Sequence, residues 1–343
     1  MNAPATLRQA KDYATDQEVR WCPGCGDYAI LKAMLKTLAD LQADPASTVF
    51  VSGIGCAARF PYYVETYGFH TIHGRAPAFA TGIKLANPEL DVWVVGGDGD
   101  LLSIGGNHLI HALRRNLDLQ ILLFNNEIYG LTKGQASPTS RPGTRSPSTP
   151  QGSLDAPISA LRLALGAGAR FVARGIDTQQ KLLPEILKRA RAHKGSALVE
   201  ILQNCIVYND GVFEGVTAKA NEAAAQLHLV HGEPLVFGAG QGKGLRLRAD
   251  GFGLEVTTAD DPEILRHDET SAGLAALLAG LEPPMPVAIG VLLDSPAPTY
   301  EDQVLALEAA EAARVRSTDL NALLRQGATW SATAPTAGVA AQP

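Results

Sequence analysis

Cysteine is scarce in this chain: four among 343 residues, at Cys22, Cys25, Cys56 and Cys205. So thin a supply excludes a disulfide-stapled scaffold. The C-x-x-C spacing of the first pair points instead to metal or redox chemistry. Positive charge is short as well, with 29 Lys and Arg against 35 Asp and Glu, a net charge of −6, and no basic cluster. That removes the electrostatic footprint of a nucleic-acid binder. No apolar run nears the roughly 20 residues that span a bilayer. Residues 1–20 are polar and charged, without the apolar core of a signal peptide. The expectation is a soluble, cytoplasmic protein with neither a nucleic-acid nor a membrane partner.

What is present suffices for a large core, since 46% of residues are hydrophobic and 19% charged. Residues 92–96 form a β-prone run that ends in Gly97-Asp98-Gly99-Asp100, and residues 119–124 form another that ends in Asn125-Asn126. Further strands are predicted over residues 48–52, up to His70, over 171–174 and over 197–202. Helices are predicted after Cys25, with Asp27 as its N-cap, over 79–85, over 105–115 and over 178–193. This alternation predicts an α/β fold with a doubly wound, mainly parallel sheet. Its ligands would gather at the carboxyl ends of the strands.

Two patterns at that edge carry chemistry. The Asp98 carboxylate, an asparagine side chain of the Asn125-Asn126 pair and a free backbone carbonyl are hard oxygen donors suited to Mg²⁺, which keeps positions open for phosphate oxygens. The plainer reading is a glycine turn followed by two asparagine turn residues. The four cysteines form the second pattern. Trp21-Cys22-Pro23-Gly24-Cys25-Gly26 is a tight loop entering a helix, Cys56 follows the strand over 48–52, and Cys205 follows the one over 197–202. Four thiolates suit either tetrahedral zinc or an iron–sulfur cluster. Ligands spread this far along the chain favour a cluster assembled by a preformed fold over paired zinc knuckles. A Pro/Ser/Thr-rich segment over 137–150 is long for a connection in a compact domain, and beside such a site it reads as functional.

The GDG and the downstream NN together resemble the thiamine diphosphate motif. The chain as a whole resembles the β subunit of 2-oxoacid:ferredoxin oxidoreductases, most closely the 2-oxoglutarate type. The likeness runs through WCPGCGDYAIL, VSGIGCAARFPYYVETYGFHTIHGRAPA, GDGDLLSIGGNHLIHALRRN, NNEIYGLTKGQASPTS, Asn204-Cys205 and HGEPLVFG.

That resemblance implies a sheet of the thiamine diphosphate-binding type. Four segments are expected: an N-terminal arm (1–20), mobile or contacting a partner; a thiamine diphosphate and iron–sulfur domain (21–227); a mixed C-terminal extension (228–328); and a disordered tail (329–343). Cys22, Cys25, Cys56 and Cys205 would hold one 4Fe–4S cluster. Asp98, Asn126 and the Ile128 carbonyl would bind Mg²⁺, and Ile54, Gly55, Cys56, Ala57, His73, Gly99, Asp100, Gly130 and Leu131 would contact thiamine diphosphate. The implied reaction is oxidative decarboxylation of 2-oxoglutarate to succinyl-CoA and CO₂, or the reverse, with coenzyme A taking the acyl group and ferredoxin the electrons. An α subunit, in an α₂β₂ assembly, would supply the cofactor-activating glutamate, so activity would require it. His73 and Arg59 are the candidate substrate contacts, Arg59 for the distal carboxylate of the 2-oxoacid. The competing readings are the same chemistry on pyruvate or another 2-oxoacid, a non-redox thiamine enzyme with structural zinc, and a non-catalytic cluster protein.

Overall fold

A computed structural model describes residues 7–314 and 319–330. Strands β1 (Thr48–Ser52), β2 (Tyr67–His70), β3 (Asp91–Gly97) and β4 (Gln120–Asn125) come first. A short hairpin of β5 (Ile128–Tyr129) and β6 (Gln135–Ala136) follows, and then β7 (Phe171–Ile176), β8 (Ala197–Leu202) and β9 (Gln226–His228). The C-terminal part adds β10 (Val236–Phe237), β11 (Lys243–Leu247), β12 (Leu254–Thr258) and β13 (Val287–Asp294). Among the described residues, eight strands make one sheet in the order β2-β1-β3-β4-β8-β7-β13-β9, and β10–β12 form a separate antiparallel sheet. From β2 to β7 every neighbouring pair is parallel.

The central strands β1, β3, β4, β7 and β8 are largely apolar because both faces are covered, as parallel sheets require. Val92 and Val94 pack to one side, with helices α2 (Ala76–Ala86) and α4 (Gly106–Arg115); Trp93 and Val95 pack to the other, with α1 (Asp27–Leu41) and α6 (Leu182–Ala192). On the α1 side an aromatic layer lies against the sheet, where Phe50 stacks on Trp93 at 6.0 Å and Phe60 meets Phe124 edge-on at 5.9 Å. Ile30, Met34 and Leu38 point inward from α1 and are fully buried.

Three features differ from the sequence expectation. Residues 8–20 are not a free arm. Tyr13 is fully buried, its hydroxyl donates to the Ala43 carbonyl at 2.7 Å, and the backbone of Arg20 donates to the Tyr63 hydroxyl. Asp27 is the first residue of α1 rather than its cap, which is Gly26. The sheet also continues past residue 227, because β13 joins β7 antiparallel and β9 pairs with β13. Too few strand-like signals mark residues 226–228 for periodicity to reveal them.

Residues 302–314 and 319–330 form a second unit, which holds most of the helix Tyr300–Ala312 and all of Leu320–Leu324. Beyond Trp330 the expected tail lies outside the described residues. No helix among the described residues is long and apolar enough to cross a membrane.

Polar contacts pin β13 to α6. Arg189 donates to Glu269 at 2.8 and 3.0 Å and to Asp294 at 3.1 Å, and His193 Nδ1 lies 2.8 Å from Asp294. The His193 bond, aided by Arg189, holds the Asp294 carboxyl below its usual range despite its partial burial. A depressed folded pKa contributes stability above the unfolded value of ~3.9 that fades as pH falls through the folded one. Asp294→Ala is therefore expected to cost about 1 kcal/mol near neutral pH, given that one of its partners, Arg189, is partly exposed. Denaturant titration should show that penalty shrinking as pH falls below ~3.9; an equal penalty near neutral pH and in acid would assign it to packing.

Candidate active site

The carboxyl ends of β1, β3, β4 and β8 deliver the site. Asp98 follows β3 directly and opens a short helix, α3 (Asp98–Leu102), where the sequence reads as a turn. Acidic residues in a first helical turn are favoured by the exposed N–H groups there. Asp98 is 2% exposed, and its Oδ2 accepts hydrogen bonds from Ser137 at 2.6 Å and Thr139 at 2.5 Å. Burial pushes its carboxyl up to about 6, against the pull of those two hydroxyls. Asn126 donates to Gln203 Oε1 at 2.8 Å, and its own Oδ1 accepts the Ile128 N–H at 3.2 Å.

Asp100 ties neighbouring loops together. Its Oδ1 accepts from the backbone of Ile54 at 3.0 Å and of Gly74 at 2.8 Å, and lies 2.5 Å from His73 Nδ1. Its Oδ2 is buried without a partner and faces Gly53, where any Cβ would come within 2.0 Å of it. Gly53 must therefore be glycine for Asp100 to reach both loops. Gly99 is constrained in the same way: a Cβ there would meet the Tyr129 ring at 2.1 Å, and the Tyr129 hydroxyl donates to the Gly99 carbonyl.

These residues enclose a cavity of about 110 Å³. Ile54, Gly55, Cys56, Ala57, His73, Asp98, Gly99, Asp100, Asn126, Ile128, Gly130 and Leu131 all line it. The whole set predicted for cofactor and Mg²⁺ therefore falls on one cavity, although residues 54 and 131 are far apart in the chain. The donor set of carboxylate, amide and carbonyl suits Mg²⁺. Arg59 stands apart. It lines a neighbouring cavity of about 400 Å³ with Arg20, Tyr62 and His70, and that cavity shares Ile54, Gly55 and Leu131 with the first.

The four cysteines line a third cavity, of about 40 Å³, with Trp21, Gln203 and Tyr208. Cys22 is exposed and Cys205 buried, and Gln203 donates to Cys25 Sγ at 3.3 Å. Burial, with the nearby Asp27 carboxylate, pushes the Cys25 thiol well above its ordinary range and Cys56 up to about 12. Such thiols keep their protons at neutral pH unless a metal centre displaces them. Among the described residues, no three His, Cys, Asp or Glu side chains converge closely enough for a single metal ion. Asp27, Cys56, Asn126 and Gly130 line both the cysteine cavity and the cofactor cavity. A Cβ on Gly130 would lie 3.5 Å from Cys205 Sγ and 3.6 Å from Cys56 Sγ.

Residues 53–201 match the family described as thiamine pyrophosphate enzyme, C-terminal TPP binding domain. The chain is 50% identical to the 2-oxoglutarate oxidoreductase subunit KorB of Mycobacterium tuberculosis over 335 residues, 94% of this chain and 88% of that one. It is also 53% identical to subunit beta of 2-oxoacid:ferredoxin oxidoreductase 1 of Aeropyrum pernix, over 59% of this chain and 64% of the relative. The chain belongs to the 2-oxoacid:ferredoxin oxidoreductase β subunits. Its fold agrees with a solved 2-oxoglutarate:ferredoxin oxidoreductase from Magnetococcus marinus, with a TM-score of 0.77 and 32% identity over 94% of this chain and 97% of the other. That structure has 2-oxoglutarate, coenzyme A and succinyl-CoA bound. The doubly wound sheet is thus the thiamine diphosphate-binding kind, and the β subunit belongs to an oxidoreductase.

Sequence reasoning missed several residues of this β-subunit site. Tyr129 and Asp27 line the cofactor cavity, Gln203 orients Asn126 and reaches Cys25, and Ser137 and Thr139 hold Asp98. Only the last two left a signal, the overlong Ser/Thr-rich segment. Gly99→Ala should displace the Tyr129 ring and weaken thiamine diphosphate binding about tenfold or more, since overpacking costs ~1–3 kcal/mol. Calorimetric titration of the assembled enzyme checks this, and an unchanged affinity would mean that the ring moves aside freely.

Proposed function

We propose that this chain is the β subunit of a CoA-dependent 2-oxoglutarate:ferredoxin oxidoreductase. It would act in the cytoplasm, with an α subunit in an α₂β₂ assembly. The observation that carries the reading is the wall shared by the two cavities, with Cys56, Asn126 and Gly130 facing both. A cofactor that must give up electrons after decarboxylation needs an acceptor at that distance. The solved relative that carries 2-oxoglutarate and coenzyme A supports the substrate choice. The reaction would yield succinyl-CoA and CO₂, or run in reverse.

Thiamine diphosphate, when bound, supplies the electron sink that lets a 2-oxoacid lose CO₂. Asp98, Asn126 and the Ile128 carbonyl would hold its Mg²⁺, and the glycines at 55, 99 and 130 allow close approach of the backbone. Asp100 holds His73 in the cavity, where its ring can face cofactor or substrate. Arg59, in the adjoining larger cavity, would take the distal carboxylate of 2-oxoglutarate bidentately. The cavity of about 110 Å³ falls below the roughly 300 Å³ usual for a ligand site, and no glutamate among the described residues lines it. Both facts support a second wall, and the activating glutamate, coming from the α subunit.

The four cysteines fit a 4Fe–4S cluster better than zinc. Zinc draws four thiolates to about 2.3 Å from one point, whereas a cluster gives each cysteine its own iron. Here the four sulfurs come from three loops far apart in the chain and line one cavity, which suits a cluster assembled by a preformed fold. Protein purified anaerobically should contain about four irons with matching acid-labile sulfide per chain. One zinc and no sulfide would overturn the redox reading and leave a non-redox thiamine enzyme. Replacing Arg59 with Ala should raise KM for 2-oxoglutarate about tenfold or more while barely changing KM for pyruvate, the scale of a lost charged hydrogen bond. Equal effects on both substrates in steady-state assays would end that assignment.

A further inference from the structure

The segment over 137–141 makes contacts that the proposed function leaves unexplained. Ser137 and Thr139 are 8% and 5% exposed, and both hydroxyls bond the same oxygen, Asp98 Oδ2, at 2.6 and 2.5 Å. They arrive from 39 and 41 residues downstream. Satisfying a buried carboxylate would need no more than that. The segment is, however, fastened at every step to the other half of the metal site. Ser140 donates to the Glu127 carbonyl at 2.5 Å, and Arg141 Nε donates to the Glu127 carboxylate at 2.9 Å. Thr139 Oγ1 also lies 3.0 Å from Asn125 Oδ1. Asn125 in turn donates to Glu200 at 2.8 Å, and Glu200 accepts from Arg174 at 2.7 Å. Glu200 is 2% exposed in the middle of the sheet, a costly place for a carboxylate without these partners.

A threonine hydroxyl has one hydrogen. The shorter distance and the charge of the carboxylate give it to Asp98, while Asn125 Oδ1 takes the Glu127 N–H at 3.2 Å. The network therefore sets the angle of one carboxylate against the strand end that bears Asn126.

We infer that Ser137 and Thr139 are positioning residues for the divalent cation: they occupy Asp98 Oδ2, hold the carboxylate in one rotamer and leave it a single oxygen to offer. Mg²⁺ demands near-ideal octahedral geometry, so a ligand aligned before binding gains affinity that a swinging carboxylate loses. The inference rests on Asp98 being a metal ligand.

The test uses the assembled enzyme, with Mn²⁺ as the probe and thiamine diphosphate present, and counts free Mn²⁺ by electron paramagnetic resonance. Thr139→Val and Ser137→Ala should each weaken Mn²⁺ binding about tenfold, the usual scale for groups that orient metal ligands. Thr139→Ser, which keeps the hydroxyl, should bind as the unaltered enzyme does. Thr139→Ser as weak as Thr139→Val would overturn the role in favour of packing. Unchanged affinity in both Thr139→Val and Ser137→Ala, with Asp98→Asn abolishing binding, would overturn it as well. Full affinity in Asp98→Asn would overturn the metal assignment beneath it. Should Thr139→Val fail to fold by circular dichroism, Ser137→Ala decides.

Discussion

A carboxylate that water barely reaches sets the terms for the rest of this site. Asp98 stands at the end of a central strand, 2% exposed, and burial works against its charge. Such a group persists only if the fold supplies donors at close range, and here the donors are hydroxyls from a distant loop. That loop must in turn be anchored, through Glu127, Asn125, Glu200 and Arg174. The chain of dependence explains a charged pair inside an otherwise apolar sheet. Arg174 and Glu200 lie opposite each other on β7 and β8, one step below the strand ends.

Glycine governs how closely the parts approach. At positions 53 and 99 any side chain would collide with Asp100 or Tyr129. At position 130 a Cβ would be in ordinary contact with two cysteine sulfurs, at 3.5 and 3.6 Å. These three positions follow different strands, and together they bring backbone from three strand ends to one small volume. The cofactor cavity and the cysteine cavity can then share lining residues, Asp27, Cys56, Asn126 and Gly130.

Much of this was legible in the sequence, for a definable reason. A strand in a parallel sheet is a continuous apolar run, and its end is marked by glycine, asparagine or aspartate. The runs before Gly97 and Asn125 therefore announced both strands and the edge where they finish. The cysteines were equally visible, since C-P-G-C-G suits neither helix nor core. Periodicity could not show the joining of β13 to the sheet. A strand more than 80 residues beyond β8 adds antiparallel through its buried apolar residues and through Arg189, Glu269 and Asp294 meeting in space. Nor could periodicity show that residues 8–20 pack down, which rests on contacts remote in the chain, among them the buried Tyr13 with the Ala43 carbonyl and Arg20 with Tyr63.

The sequence alone determined the chemistry available: hard oxygens on one pair of strand ends and soft sulfurs on three loops. Residue types and their local spacing decide such matters, because each ligand's affinity is intrinsic to its atoms. Tertiary structure decided which groups serve which task. It separated Arg59 into its own cavity, turned Asp100 toward the loops, and brought Ser137 and Thr139 onto Asp98. Those assignments depend on distances between residues remote in the chain, and only a packed sheet with both faces covered holds such distances constant.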